Sequence, residues 1–82
     1  MNALSFRVGY AMSSNQSHAI AENLTAILGS SRVGFSPVVE GNTTTFVTSG
    51  RCHVSGLKLA KLNSFLDGAR LMLLMGDIER TP

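Results

Sequence analysis

Catalysis by side chains needs a base, a nucleophile and a group to orient the base, and the bases available here are His18 and His53. Cys52 is the single thiol and sits next to His53. On a strand, adjacent side chains point to opposite faces, so Cys52 and His53 cannot form a nucleophile–base pair there. His18 belongs to a separate segment near Ser14 and Ser17. The spacing therefore predicts no catalytic residues and no enzyme.

Of the five carboxylates, Glu22, Glu40, Asp67, Asp77 and Glu79, only Asp77-x-Glu79 forms a close pair, near the end of the chain. On a helix the two would face different directions, and beyond a helix they would be solvated, so neither a metal nor a glycosidase arrangement is expected. Two distant imidazoles and one cysteine likewise predict no transition-metal site. Gly29-Ser30-Ser31 lacks the lysine of a phosphate-binding loop, and Gly50 and Gly56 lack its spacing and hydroxyl pair. No cofactor is expected.

Charge narrows the remaining classes. Charged residues make up 15% of the 82 positions, against about 25% in a typical globular domain. Copies with so few charges repel one another weakly, which favours an oligomer or a bound partner. The formal charge is +2, and Arg7, Arg32, Arg51, Lys58, Lys61, Arg70 and Arg80 are dispersed along the chain. Nucleic acid is thus permitted without being favoured, with Arg32, Arg51, Lys58 and Lys61 as candidate contacts. A lone cysteine suits a reducing compartment. The stretch from Met1 to Met12 alternates and carries Arg7, unlike a secretory core, and the longest apolar run is too short for a bilayer, so a cytoplasmic location is expected and a membrane is not.

These residues must be positioned by a small fold, read as one domain over 1–82. Leu4, Phe6, Val8, Tyr10 and Met12 alternate with more polar or smaller residues, the period of a strand with one buried face. Ser13 and Gln16 have the spacing of a capping box, and Ile20, Leu24, Ile27 and Leu28 form a stripe that ends at Gly29, so a helix is predicted between Ser13 and Gly29. Arg32 to Glu40 reads as a strand held to an edge or bulge by Pro37, and Gly41-Asn42 turns it into a second strand, Thr43 to Thr48.

The remainder threads in three ways. In the preferred reading one long helix follows the cap Ser55, with Leu59, Leu62, Leu66, Ala69 and Leu73 in phase, which yields βαββα. Gly68 costs about 1 kcal/mol inside a helix, so a rival stops at Asp67-Gly68 and makes Ala69 to Met75 a fourth strand, the βαββαβ ferredoxin-like order. A third uses Ser49-Gly50 as a turn, Cys52 to Leu59 as a strand and Ser64 as a later helix start. All are α+β, a small antiparallel sheet with two helices on one face. Order is expected throughout, apart from Met1-Asn2 and the tail near Thr81-Pro82.

The apolar run Leu71-Met72-Leu73-Leu74-Met75 exceeds what one helix face can bury. Leu71, Leu74 and Met75 are accordingly the candidate protein interface. With no catalytic constellation, the expectation is a non-enzymatic protein-binding module, an inhibitor or adaptor of the kind phages and mobile elements encode, blocking a surface of a larger protein complex. A homodimer is compatible with the same surface.

Overall fold

Each element of the computed structural model can be traced to its local sequence, and the model describes the chain apart from Met1, Asn2, Ser31, Cys52, Leu74, Met75, Asp77 and Pro82. Strand β1 spans Ser5–Val8, helix α1 Ser14–Leu28, strand β2 Phe35–Glu40, strand β3 Thr43–Thr48, helix α2 Gly56–Leu73 and strand β4 Ile78–Thr81. The sheet order is β2-β3-β1-β4, with every neighbouring pair antiparallel. This is the ferredoxin-like arrangement of an α+β domain.

Alternation decides which sheet face is covered. Phe6 pairs with Phe46 across the central ladder, and both rings are buried. Their neighbours Ser5, Arg7, Thr45 and Val47 point to the other, open face and are half-buried or exposed. Ile20, Ala21, Leu24 and Leu28 of α1, with Leu62 and Leu66 of α2, join Phe6, Val8 and Phe46 in one apolar cluster. Both helices therefore lie on the same face. Phe35 at the start of β2 extends this core, its ring 5.7 Å from that of Phe6.

Capping follows the sequence. Ser13 Oγ accepts from the Gln16 N–H at 3.2 Å, and Gly29 closes α1 in the left-handed conformation at φ 68°, its N–H donating to Thr25 O. Ser55 Oγ accepts from the Lys58 N–H at 3.2 Å and starts α2. Buried and half-buried threonines fasten the loops to this frame. Thr44 Oγ1 accepts from Met12 N–H and donates to Tyr10 O, while Thr25 Oγ1 accepts from Phe35 N–H and donates to Ala21 O.

The C-terminal third combines two of the sequence readings and corrects both. Helix α2 runs through Gly68 to Leu73, as the long-helix reading expects, and Ala69 to Leu73 are helical rather than a strand. Gly68 is exposed with open space around it, so its cost is conformational and packing of Leu66 and Leu73 on either side offsets it. A fourth strand nevertheless exists, at Ile78–Thr81, beyond the last element of either reading and reaching Thr81, where the sequence predicts a loose end. It pairs with β1 through Val8↔Ile78 to Ser5↔Thr81. Gly76, ahead of this strand, lies close to Gly9: a Cβ on Gly76 would stand 2.9 Å from the Gly9 carbonyl oxygen, so only glycine fits there without a shift. The hairpin at Ser49-Gly50 and the strand from Cys52 to Leu59 do not form, since α2 has already started at Gly56.

Candidate interaction surfaces

The two histidines stand on separate elements. His18 is in the second turn of α1, and His53 is on the loop between β3 and α2. The His18 ring nitrogen Nδ1 lies 2.8 Å from Ser14 O, a contact in which the ring N–H donates to the carbonyl. A shallow pocket of about 460 Å³ next to it is lined by Glu22, Thr25, Phe35 and Pro37 among others. Ser14 Oγ stands 3.4 Å from the same Nδ1, one helical turn earlier, and Ser36 also lines the pocket, whereas Thr25 Oγ1 is bonded to Ala21 O and Phe35 N. Cys52 and Asp77 lie outside the described residues. Two other carboxylates are engaged by arginines: Glu79 pairs with Arg7 on the open face of the sheet, and Asp67 pairs with Arg80 across from α2 to β4. Among the described residues, no three His, Cys, Asp or Glu side chains approach closely enough to share a metal ion. Nor is any helix there long and apolar enough to cross a membrane.

The most exposed large apolar residues sit on α2, ahead of Tyr10 and of Val38 and Val39 on the edge strand β2. Leu62 and Leu66 are its buried residues, while Leu57, Leu71 and Met72 are 69%, 71% and 84% exposed. Leu71 is thus on the surface, as the sequence predicts, whereas Leu74 and Met75 fall outside the described residues. Between α2 and α1 runs a nearly nonpolar groove of about 360 Å³ lined by Ile20, Phe65, Gly68, Ala69, Met72 and Leu73. Met72 and Leu73 of the apolar run line this groove, whereas the run gives no sign of Leu57. A helical wheel drawn straight through Gly68 does find Leu57, Ser64, Gly68 and Leu71 on one outward stripe opposite Leu62 and Leu66.

Topology gathers the candidate nucleic-acid contacts. The loop after α1 and the loop after β3 lie side by side, because Ser49 N–H donates to Gly34 O at 2.9 Å and Gly34 N–H donates to Ser49 Oγ at 3.3 Å. Arg32 and Arg51 flank that junction, and Lys58 and Lys61 stand on the first two turns of α2 at the same end. Lys58 acts within the fold, since its Nζ donates to Leu28 O at 2.7 Å and so satisfies a carbonyl at the negative end of α1. Arg32, Arg51 and Lys61 are exposed, and among the described residues none of them forms an ion pair. Comparison with known proteins finds no matching family model, no similar characterised protein and no similar solved structure.

Proposed function

We propose that this chain is a non-enzymatic protein-binding module of the cytoplasm, acting as an inhibitor or adaptor through the outer face of α2. The observation that carries the reading is the exposure of Leu71 and Met72 beside the apolar groove between the helices. Aliphatic and methionine side chains grouped this way adapt to a partner and gain by leaving water, at about 25 cal/mol per Å² of apolar surface covered.

In the purified protein the occupant is a second copy. Leu57 and Leu71 are each seven residues from Ser64. An antiparallel two-fold pairing centred on Ser64 therefore sets Leu57 of one copy near Leu71 of the other, the self-complementarity that a closed dimer requires. Ala60, Ser64 and Gly68 lie four residues apart, and their small side chains let the two helices approach closely. A larger protein complex would compete for the same face.

Sedimentation velocity tests the reading. The native chain is expected to run as a dimer, and Leu71→Gln with Met72→Gln as a monomer with an unchanged circular dichroism spectrum. A native chain that stays monomeric at high concentration, or a double variant that stays dimeric, rejects the proposal.

A further inference from the structure

A second surface lies on the end of the molecule where α1 stops and α2 begins. We propose that this end binds the phosphate backbone of a nucleic-acid duplex. It carries Arg32 on the loop after α1, Arg51 on the loop after β3 and Lys61 on α2, all exposed. The described carboxylates lie elsewhere: Glu22 along α1, Glu40 at the far turn between β2 and β3, Asp67 in the second half of α2 and Glu79 on β4 beside Arg7. The dispersion of the basic residues in sequence conceals this segregation, which only the antiparallel folding of the chain creates.

Hydroxyl groups at the same end are set to donate. Ser30 Oγ accepts from the Arg32 and Val33 N–H groups, Ser49 Oγ from Gly34 N–H and Ser55 Oγ from Lys58 N–H. All three serines are exposed, and with their oxygens accepting from the backbone each retains an O–H to offer outward. Three cations and three hydroxyl donors without a described carboxylate form a surface that receives anions. Phosphate oxygens are the acceptors that Arg, Lys and Ser together contact in nucleic-acid backbones.

The arrangement also selects among anions. The cations stand on three separate segments, so an extended polyanion is better matched to them than a small anion is. A duplex supplies a charge every ~1.7 Å of its axis and meets all three at once. Single strands are bound on aromatic platforms, whereas Phe6, Phe35 and Phe46 are buried in the core, the exposed Tyr10 lies beside Thr44 at the opposite end of the sheet, and the open sheet face carries Ser5, Arg7, Thr45 and Val47 in place of rings. The surface is thus suited to the backbone of paired strands and not to stacking on exposed bases.

Fluorescence anisotropy with a labelled duplex of DNA, and separately of RNA, tests the assignment. Three phosphate contacts predict binding that weakens about 40-fold between about 50 and about 200 mM monovalent salt. Replacing Arg32, Arg51 and Lys61 together with alanine is expected to lower affinity at low salt by at least about tenfold, and Arg51→Glu alone severalfold, while Arg70→Ala at the far end of α2 changes it less than about twofold. Similar affinity for the two duplexes identifies recognition of phosphate alone, and a preference for RNA adds its 2′-hydroxyl as a contact; both support the proposal. Absence of binding at low salt overturns it. So does an equal loss in Arg70→Ala, or displacement of the duplex by poly-glutamate at the same charge concentration.

Discussion

The two helices have similar lengths and cover the same sheet face, yet they distribute their apolar residues differently. Helix α1 places Ile20, Ala21, Leu24 and Leu28 in the core and has a cap at each end. Helix α2 is longer, buries Leu62 and Leu66, and leaves Leu57, Leu71 and Met72 in solvent. A sheet of four short strands has limited area to cover, and α1 with the inner stripe of α2 fills it. What remains apolar on α2 contributes little to folding and is available for contact.

Truncating an inner residue of α1 puts this contrast under the greatest strain. Leu24 is fully buried, so Leu24→Ala is expected to lower stability by about 3 kcal/mol, whereas Leu57→Ala on α2 changes it by less than about 0.5 kcal/mol. Urea unfolding of the two variants measures both. Equal losses would mean that the outward residues of α2 also hold the fold together.

Next in size is the tie between the helices. Lys58→Met keeps the aliphatic stem but leaves the Leu28 carbonyl without its cationic donor, with an expected loss of about 1–2 kcal/mol in the same urea assay. An unchanged midpoint would show that the Lys58 side chain serves only as surface charge. A smaller effect of opposite sign is expected at Asn63, whose Oδ1 is buried without a hydrogen-bond partner. Asn63→Leu should raise stability by about 1 kcal/mol, and a lower unfolding midpoint would contradict that assignment.

Local signals made most of the frame legible. The alternation in β1, the Ser13 and Gly29 caps, the edge position of β2 with Pro37 and the turn at Gly41-Asn42 each depend on residues a few positions apart, and the structure has all of them, although β1 stops at Val8 and the alternating Tyr10 beyond it is exposed. Strand β4 had no comparable signal. Ile78-Glu79-Arg80-Thr81 is short and half charged, and it becomes a strand by pairing with β1, where Glu79 meets Arg7 across 72 positions of sequence. Glu79 and Arg80 on this edge, like Pro37 on the other, also discourage further strands from adding. At Gly68 the competing signals resolve as the preferred long-helix reading expects. The turn propensity of this glycine is intrinsic, whereas the packing of Leu66 and Leu73 that keeps it helical is tertiary. The interaction surfaces divide likewise: Leu71 was visible in a five-residue apolar run, but the common location of Arg32, Arg51 and Lys61 exists only once the strands are ordered.

If the outer face of α2 is covered in solution, the core face should not feel that contact. Methyl NMR of the native chain over a dilution series reads both at once, since Met72 is on the outer face and Met12 is buried in the core. The Met72 methyl resonance is expected to shift or broaden with protein concentration while Met12 stays fixed. A Met72 signal that is sharp and independent of concentration would contradict the assignment of this face to protein contact.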